Sequence, residues 1–474
     1  MSVLVQRLGL SSTGDRNKWT FSAWIKRSRS VSSGSEFFFS SNNERTSGAN
    51  YSSIMFQNDH LHYYDYYNSS SQVVLRTNRV FRDFTGWYHI VVRYDSTLAT
   101  ADDRIRFYVN GTQETSMALR TNVNQNDASF VNTSGYDNFI GTQTNNLSGH
   151  FLGGMSHVHL CDGYSYDASS FGSTDATTGE WSINTNPSVS YGTNGFFILK
   201  DGNSLTDQSP NSNNFSVGSG TLTPTEDNPS NVFSTFNYLG TYKDNFNPGN
   251  WLQKGNTKIN TDGRTDYRWF TDFGTIGATS GKYYMELKIN QIGSATNVDY
   301  GSIGIANDFA MSDAPQGTYG REANDWGSGV YSYAFRFDSR YAPSIALIKR
   351  ENGTSTKTDS YQTQSSNLQV IMMAWDLDNG KIWFGRENSW FNSGNPGSGT
   401  NAALTFTPNG RTFLPYVNHW VHNSGNNPIY SVNFGNGYFD TTAVSAGTNA
   451  SNNGIFEYNV PTGFTALSTK GLNL

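Results

Sequence analysis

Apolar and polar residues alternate with a period of two along much of the chain. In the segment Trp19–Lys26, the apolar side chains of Trp19, Phe21, Ala23 and Ile25 occupy every second position. Successive side chains of a β-strand point to opposite faces of a sheet, so this period predicts strands with one buried face. The same alternation recurs in Trp87–Tyr94, Arg104–Val109 and Tyr283–Ile289. No segment keeps a period of 3.6 residues, and the pattern therefore predicts an all-β protein.

Val370–Leu377 departs from this alternation because it is apolar on both faces. An apolar run of this length indicates a central strand that is covered on both sides. Asp376 and Asp378 stand at its end, directly before Asn379-Gly380. Their side chains are expected to accept hydrogen bonds from the backbone of the turn and not to take part in catalysis.

Short polar dipeptides separate the apolar runs. They are Asn110-Gly111, Asp162-Gly163, Asn352-Gly353, Asn379-Gly380 and Asn409-Gly410. Asn and Gly tolerate the positive φ angles that a two-residue type I′ turn requires, so these dipeptides predict hairpins and hence antiparallel strands. The sequence predicts a single helical turn, at residues 167–171, with Asp167 as its N-cap.

The chain has 474 residues, which exceeds what one hydrophobic core usually supports. We predict a first β-sandwich at residues 1–165 and a second at residues 236–474. Residues 166–235 are rich in Ser, Thr, Asn and Gly and contain several prolines, so they are interpreted as a polar connector. Within it, Phe196–Leu199 is apolar enough to add a strand to the first sandwich.

Composition narrows the class of partner. Charged residues make up only 15% of the chain, the net charge is −6, and the sequence has no basic stripe, so nucleic acid is not an expected partner. No apolar run approaches the length of a membrane span, so membrane insertion is not expected either. Met1–Arg7 lacks the regions of a signal peptide. Cys161 is the single cysteine, which excludes an intrachain disulfide and favours synthesis in a reducing cytosol.

Two sets of segments resemble known β-sandwich domains. Asp15–Arg27, Trp87–Arg93 and Arg104–Gly111 resemble, in this order, the laminin-G/concanavalin-A-like jelly roll. Five later segments resemble the SPRY domain: Gly281–Lys288, Gly301–Ala306, Val370–Phe384, Asn433–Gly435 and Pro461–Phe464. The fold class implied is two antiparallel β-sandwiches, one jelly-roll or lectin-like and one SPRY-like.

The tandem order of these domains, with residues 192–215 between their core segments, resembles a family of structural proteins from marine bacteriophages. The resemblance implies a non-enzymatic protein of the virion surface that is made in the host cytoplasm. Its expected partners are other virion proteins and host cell-surface glycan, and its oligomeric state is left open. A tail or fibre module that binds host glycan is the first hypothesis. A capsid decoration protein, as a head fibre or knob without a specific small ligand, is the second.

A polysaccharide hydrolase is the least favoured hypothesis. Glycosidases need two carboxylates that flank the scissile bond, and concanavalin-like hydrolases place them as Glu-x-Asp-x-x-Glu on one strand. This spacing is not present in the sequence. Glu286 stands alone on its strand and is expected to be an exposed polar residue. Cys161 lies in an apolar strand and is expected to be a buried thiol, not a nucleophile.

No cofactor is predicted, although two kinds of metal ligand occur in pairs or groups. His60 and His62 form one His-x-His pair and His157 and His159 another, and alternation puts both members of a pair on one strand face. Ordinary polar positions in strands explain these pairs better than a metal does. Asp95, Asp102 and Asp103 flank one loop and could hold calcium, but their spacing matches no calcium motif.

The segment His60–Asn68 is the densest group of candidate contact residues. Alternation puts Tyr64 and Tyr66 on one face of a strand, and Tyr63, Asp65 and Tyr67 on the other. Only one of these tyrosine sets can belong to the core. The other is expected to face solvent, a glycan or a protein partner, since tyrosine-rich surfaces are typical of interfaces.

In the second sandwich, four large aromatic residues fall in or near loop-like segments: Trp326, Tyr331, Trp390 and Trp420. Loops carry binding residues on rigid β scaffolds, so these four are candidate contact residues. Large aromatic side chains also close the ends of sandwiches, and the sequence leaves this alternative open.

Overall fold

The computed structural model describes residues 3–30, 34–43, 50–67, 70–144, 149–200, 204–239, 251–265, 267–291, 300–313, 323, 325–338, 345–362, 369–422 and 427–473. The protein is almost entirely β-structure in antiparallel sheets, which confirms the predicted fold class. The chain divides into two compact units. The first comprises Met1–Pro224 and Asn228–Ser230, and the second Thr225–Asp227 and Asn231–Leu474.

Among the described residues of the first unit, the strands follow one another along the chain, interrupted by short 3₁₀ turns at Ala101–Asp103 and Ala168–Ser170. In order they are β1 (Leu4–Arg7), β2 (Lys18–Arg27), β3 (Ser35–Asn42), β4 (Tyr51–Gln57), β5 (His60–Tyr67), β6 (Ser70–Val80), β7 (Tyr88–Asp95), β8 (Ile105–Val109), β9 (Thr112–Glu114), β10 (Met117–Thr121), β11 (Asp137–Ile140), β12 (Gly153–Asp162), β13 (Gly172–Thr174), β14 (Trp181–Ile183), β15 (Phe196–Ile198) and β16 (Ser216–Ser219).

Two sheets of the first unit enclose its main core. One has the order β10-β6-β5-β4-β3-β11-β1-β16 and the other the order β15-β12-β2-β7-β8-β9. The apolar face predicted for β2 lies between them, where the rings of Phe21 and Phe39 pack 5.0 Å apart. A second, smaller core covers the other face of the six-stranded sheet. It includes Val91, Cys161, Phe171, Tyr191 and Phe197.

This smaller core shows that the predicted connector was placed wrongly. Residues 166–224 belong to the first unit, where β15 pairs with β12 and β16 pairs with β1. Polar side chains in this segment hold its loops in place. Asp207, for example, accepts hydrogen bonds from the backbone amides of Phe197, Ser209 and Asn213. The predicted extra strand at Phe196–Leu199 is confirmed as β15.

The helical turn predicted at residues 167–171 exists as the 3₁₀ turn Ala168–Ser170, but Asp167 does not cap it with its side chain. The Asp167 carboxylate instead accepts hydrogen bonds from Arg93, at 2.7 Å, and from the hydroxyl of Tyr108, at 2.5 Å. These bonds attach the turn to the six-stranded sheet.

The second unit contains one short helix, α1 (Ala310–Asp313), and 3₁₀ turns at Phe391–Ser393 and Gly471–Asn473 among its described residues. Its strands are β17 (Leu252–Gln253), β18 (Lys258–Asn260), β19 (Arg268–Phe273), β20 (Lys282–Gln291), β21 (Tyr300–Asn307), β22 (Tyr331–Asp338), β23 (Ile345–Glu351), β24 (Thr354–Gln362), β25 (Val370–Asp376), β26 (Lys381–Arg386), β27 (Ser389–Trp390), β28 (Leu404–Thr405), β29 (Phe413–Val421), β30 (Ile429–Asn433), β31 (Tyr438–Phe439), β32 (Thr442–Ala443) and β33 (Thr465–Ala466).

The second unit is also a sandwich of two large sheets. One has the order β17-β18-β30-β20-β25-β26-β27, with β28 beside β26 and β33 beside β20, and the other the order β19-β29-β21-β22-β23-β24. Phe335 of β22 stacks on Phe384 of β26 between the sheets, with ring centres 5.5 Å apart. Every residue of β25 is buried, which confirms the central strand predicted at Val370–Leu377.

Irregular segments cover the sheets of the second unit on further sides. Phe456, Val460 and Phe464 of the C-terminal segment pack on Tyr284 of β20 and Trp383 of β26. Another cluster joins strand residues to Ala310, Ala323, Trp326 and Val330, which precede β22. None of the described helices is long and apolar enough to cross a membrane.

Three of the five predicted hairpin turns are confirmed: Asn110-Gly111 joins β8 to β9, Asn352-Gly353 joins β23 to β24, and Asn379-Gly380 joins β25 to β26. Asp162-Gly163 and Asn409-Gly410 do not join strands that pair with each other, so the hairpins predicted there are wrong. At the end of β25, Asp376 accepts a hydrogen bond from the Asn379 amide, and Asp378 accepts one from the Gly281 amide. The bond predicted to the backbone of the turn is therefore confirmed for Asp376, whereas Asp378 bonds to the segment before β20 instead.

Candidate binding surfaces

The tyrosine-rich strand β5 lies inside the eight-stranded sheet, between β4 and β6. Tyr63 is fully buried, with its ring 5.8 Å from that of Trp19 and 6.2 Å from that of Tyr94. Tyr63 is therefore a core residue and not part of a contact surface.

Asp65 is also buried, and its position beside Tyr63 explains this. The Tyr63 hydroxyl donates a hydrogen bond of 2.7 Å to Asp65 Oδ1, and the Ser52 hydroxyl donates to the same oxygen. Burial raises the pKa of Asp65 to about 6, although both hydrogen bonds oppose the shift. The prediction that Asp65 contacts a ligand directly is therefore wrong. Asp65 instead stabilises the pairing of β4 with β5.

Tyr64 and Tyr66 occupy the opposite face of β5 and are half-buried. Tyr66 stacks on Tyr51 with ring centres 5.0 Å apart, and Tyr64 stacks on His62 at 5.6 Å. Burial, followed by the charge of Arg76, lowers the pKa of His62 to about 4, so this ring is neutral at pH 7. These side chains form a partly covered ladder and not an open surface.

Tyr67 has the same parity as Tyr63 but is 45% exposed. It occupies the last position of β5, where a loop faces it instead of the second sheet. Its ring lies 6.2 Å from that of Phe130, at 17° to it, and Phe130 lies 6.0 Å from Tyr136, at 2°. We call Tyr67, Phe130 and Tyr136 the aromatic row. The guanidinium of Arg16 stands 5.9 Å from the centre of the Phe130 ring.

The loop that carries the aromatic row is held by hydrogen bonds to the sheet. The Phe130 amide donates to the Ser52 hydroxyl at 2.9 Å, and the Phe130 carbonyl accepts from Ser41 at 3.2 Å. Arg16 donates to the carbonyl of Ser129 at 2.7 Å. Because Ser52 also donates to Asp65, the buried carboxylate supports the row through one intervening hydroxyl.

Sequence reasoning identified Tyr67 but missed Phe130 and Tyr136. These two residues interrupt a loop at positions 122–136 that is otherwise rich in Asn, Ser and Gly. The presence of large aromatic residues in such a polar loop could have indicated a contact surface, because a polar loop does not need them to form a hydrophobic core.

In the second unit, Trp390 borders an open depression of about 630 Å³. Side chains that line it include Gln369, Arg386, Glu387, Ser389, Trp390 and Asn392. Trp390 is half-buried and forms the two-residue strand β27 with Ser389. The tight turn that joins β26 to β27 has positive φ at Glu387 (47°) and Asn388 (63°).

Glu387 is fixed at the rim of this depression by two hydrogen bonds. Its carboxylate accepts one from the Val370 amide and one from the Tyr458 hydroxyl, each 2.6 Å long. Burial and the contact with the Glu387 carboxylate raise the pKa of Tyr458, so its hydroxyl remains protonated and can donate at neutral pH.

The other aromatic candidates of the second unit differ in exposure. Trp326 is fully buried against Phe273 and Tyr416, so the prediction that it contacts a ligand is wrong and the alternative of a plug is correct. Tyr331 is half-buried beneath the guanidinium of Arg411, 3.6 Å from its ring centre. Trp420 is half-buried too, and packs edge-on against neighbouring aromatic rings of β19 and the segment before it.

Glu286 was expected to be exposed, and this is wrong. It is fully buried beneath the C-terminal segment and accepts hydrogen bonds from the amides of Glu457 and Tyr458, the Tyr284 hydroxyl and the Asn433 side chain. Burial raises its pKa to about 7. These bonds give Glu286 a structural role, since they connect β20 to the segment that covers it.

The histidine pairs make local contacts. His60 Nδ1 lies 2.9 Å from the carbonyl oxygen of Thr77, and His157 Nδ1 lies 2.8 Å from the Ser156 hydroxyl. His159 Nδ1 lies 2.9 Å from the Tyr191 hydroxyl, and its ring stacks on Phe197 at 3.9 Å. His62 stacks on Tyr64 as described above. Within the described ranges, no group of three His, Cys, Asp or Glu side chains is arranged to hold a metal.

The three aspartates considered for calcium have partners within the protein. Asp95 accepts a hydrogen bond from Ser165 at 3.0 Å, Asp102 accepts one from Asn122 at 2.7 Å, and Asp103 pairs with Arg106 at 2.7 Å. Cys161 is buried in β12, and burial raises the pKa of its thiol. A buried thiol of this kind is not activated for nucleophilic attack.

Comparisons with known proteins concern the fold. Residues 7–165 match the family model described as the concanavalin A-like lectin/glucanases superfamily. No curated protein matches the chain.

Several solved structures are similar to parts of the chain at low sequence identity. A pentraxin from Limulus polyphemus is 14% identical, with 35% of this chain and 71% of that chain covered and a TM-score of 0.25. The SPRY domain of human HERC1 is 14% identical, with 42% and 96% covered and a TM-score of 0.26. A carbohydrate-binding module from Bacillus subtilis is 10% identical, with 37% and 81% covered and a TM-score of 0.22. The family match gives residues 7–165, and with them the aromatic row, a concanavalin A-like lectin fold.

Proposed function

We propose that this protein is a non-catalytic carbohydrate-binding protein of the bacteriophage virion surface, and that its first unit contacts glycan through the aromatic row. The observation that carries the proposal is the row itself. Three nearly parallel rings stand at one end of a lectin-like sheet, and one of them, Tyr67, is 45% exposed. Phe130 and Tyr136 are half-buried beside it, so the three rings together form a partly exposed aromatic surface.

The chemistry of the row suits a sugar. The apolar faces of sugar rings stack on aromatic side chains, while their hydroxyls need polar partners at the edge of the contact. Tyr67 and Tyr136 supply hydroxyls, and the Arg16 guanidinium beside Phe130 adds donors. Phe130 is held in place because its amide donates to the Ser52 hydroxyl and its carbonyl accepts from the Ser41 hydroxyl, so little ordering entropy is lost on binding.

The virion setting is supported by composition and by the resemblance to marine phage proteins. A single cysteine is consistent with assembly in a reducing cytosol, and a surface rich in Asn, Ser, Thr and Tyr is consistent with contact to external glycan. Host surface glycan is the first ligand proposed, in a tail or fibre. A glycan-independent contact with another virion protein would correspond to capsid decoration.

The test compares two tyrosines of the first unit with nearly equal exposure. Tyr67 is 45% exposed and Tyr164, outside the row, is 42% exposed. Affinity electrophoresis through gels that contain polysaccharides from host bacteria should show retardation of the natural protein. Tyr67→Ala should weaken retardation roughly tenfold, as the loss of one stacking contact of about 1.4 kcal/mol predicts, while Tyr164→Ala should not.

Two results would overturn the proposal. One is that no polysaccharide retards the natural protein. The other is that Tyr67→Ala and Tyr164→Ala weaken retardation equally, which would remove the row from the binding surface. Incubation of the same polysaccharides with the protein should release no reducing ends. Among the described residues, the aromatic row includes no pair of carboxylates of the kind that a glycosidase needs.

A further inference from the structure

The depression beside Trp390 has the size of a small-ligand site. Its volume of about 630 Å³ lies within the range of roughly 300–1,000 Å³ that is usual for such pockets. It lies wholly in the second unit and shares no residue with the aromatic row. A function for it is therefore independent of the function proposed for the first unit.

The indole of Trp390 packs against the core cluster that includes Tyr284 and remains partly exposed. Trp390 pairs with Gly385 across β26 and β27, and a Cβ atom at Gly385 would lie 3.1 Å from the Trp390 ring. The missing side chain lets the indole lie against the strand. Tyr284 contacts the indole edge-on, with ring centres 6.3 Å apart, and the side chain remains half-buried.

The backbone on both sides of Trp390 is held in an uncommon conformation. Positive φ angles occur at Glu387 (47°) and Asn388 (63°) before it, and at Asn392 (56°) and Ser393 (50°) after it. Asparagine adopts this region readily, but Glu387 and Ser393 do so at a cost. Backbone strain of this kind persists where the surrounding structure imposes it and is frequent at ligand sites.

The contacts of Glu387 impose that conformation. Its amide donates to the Val370 carbonyl at 3.1 Å, and its carboxylate accepts from the Val370 amide at 2.6 Å. The other carboxylate oxygen accepts from the Tyr458 hydroxyl at 2.6 Å. The turn is thus fixed to β25 and to the C-terminal segment, and the site is preorganised.

The side chains around the depression define the class of ligand. Arg386 and Glu387 contribute one charge of each sign, and Gln369, Ser389 and Asn392 are neutral donors and acceptors. Phe391 and Ser393 complete the lining. A partly exposed indole beside these polar groups matches a ligand with one apolar face and several hydroxyls. We infer that the depression binds an uncharged pyranose sugar, stacked on Trp390, as a second carbohydrate site of the chain.

The experiment uses the full chain with the substitution Tyr67→Ala, so that the aromatic row does not contribute. Saturation-transfer NMR and calorimetry with methyl glycosides of glucose, galactose, mannose and N-acetylglucosamine should identify at least one sugar that binds. Methyl glucuronide and methyl galacturonide, which carry a negative charge, should bind no more tightly than their neutral counterparts, because the lining carries one charge of each sign, Arg386 and Glu387.

Trp390→Ala should weaken binding roughly tenfold or more, while Trp269→Ala, which truncates another half-buried tryptophan of the same unit, should leave it unchanged. Trp390→Phe keeps an aromatic face if the alanine variant unfolds, and should weaken binding less. Three results would overturn the inference: no neutral glycoside binds, Trp269→Ala weakens binding as much as Trp390→Ala, or the acidic glycosides bind more tightly. Polysaccharide retardation of the Tyr67→Ala variant tests the function proposed for the aromatic row. Its outcome does not decide whether the depression beside Trp390 binds a sugar.

Discussion

The two units contain the same buried arrangement with different connections. In each, a tyrosine donates to a carboxylate two positions later on the same strand: Tyr63 to Asp65 in the first unit, at 2.7 Å, and Tyr284 to Glu286 in the second, at 2.9 Å. Burial raises the pKa of both carboxylates. Asp65 accepts only hydroxyl donors, whereas Glu286 also accepts two backbone amides from the segment that covers it.

This difference decides how each carboxylate supports its candidate binding surface. Asp65 reaches the aromatic row through the Ser52 hydroxyl, which accepts from the Phe130 amide. Glu286 binds the amide of Tyr458 directly, and the Tyr458 hydroxyl then fixes Glu387 beside Trp390. A relay through a rotatable hydroxyl tolerates adjustment, while a direct bond to the backbone does not. Damage to the second arrangement should therefore be more severe.

The largest expected effect is that of Glu286→Ala. The substitution leaves four donors without their acceptor in a buried site, and each unsatisfied buried group costs about 1–3 kcal/mol before relaxation. We expect the free energy of unfolding, measured in urea, to fall by about 4 kcal/mol. Glu180→Ala, at an exposed carboxylate, is the control and should change it by less than about 0.5 kcal/mol. A loss below about 1 kcal/mol for Glu286→Ala would show that the covering segment does not depend on this clamp.

The second prediction separates the two carboxylates by pH. The pKa of Glu286 is about 7 in the folded protein against an ordinary 4.5, and that of Asp65 about 6 against 3.8. The folded state thus binds each proton more tightly than the unfolded state does. The resulting stability is present at acid pH and is lost as pH rises through the folded pKa, by roughly 3 kcal/mol for each group.

The measurement is the free energy of unfolding between pH 4.5 and 8, for the natural protein and for Glu286→Gln and Asp65→Asn. Each variant removes one titrating group, so the free energy of unfolding of the natural protein should fall relative to that of the variant as pH rises through that group's window. Between pH 6 and 7 the difference should change more for Glu286→Gln than for Asp65→Asn. Parallel curves for the natural protein and both variants would contradict the raised pKa values.

Asp65 and Glu286 also show how much the alternation of apolar and polar residues could predict. The period of two placed Tyr284 and Glu286 together on one face of β20, and this is confirmed. It could not show that this face is covered, because the covering residues Phe456 to Phe464 lie in a segment without periodicity. Trp326 was misjudged for the same reason: it lies outside regular strands yet packs on Phe273 and Tyr416.

The candidate surfaces were predictable to a similar extent. Tyr67 and Trp390 could be selected as aromatic residues at a strand end and in a loop. Phe130 and Tyr136 could not be joined to Tyr67, because their contact depends on how the loop at positions 122–136 folds over the end of the sheet. Gly385 could not be linked to Trp390 either, since that contact depends on the pairing of β26 with β27.

The third prediction compares the two tyrosine donors. Tyr63→Phe and Tyr284→Phe each remove one hydroxyl and keep the ring, so the core remains filled. Asp65 then keeps one hydrogen-bond donor, Ser52, whereas Glu286 keeps three. We expect a loss of about 1–1.5 kcal/mol for Tyr63→Phe and about half of that for Tyr284→Phe, by urea unfolding at pH 8. Equal losses would mean that the number of remaining donors does not matter.

The smallest expected effect on stability is that of Tyr67→Ala, although Tyr67 shares its strand face with Tyr63. Tyr63 is fully buried, so Tyr63→Ala should cost about 3–5 kcal/mol, whereas Tyr67 is 45% exposed at the end of the strand and should cost less than about 1 kcal/mol when truncated. Urea unfolding of both variants, together with polysaccharide retardation of Tyr67→Ala, separates stability from binding. A loss of several kcal/mol for Tyr67→Ala would show that the aromatic row holds the loop at positions 122–136 in place, and its effect on retardation would then reflect loop folding. A small loss with impaired retardation would identify Tyr67 as a contact residue, because the fold would be intact when binding fails.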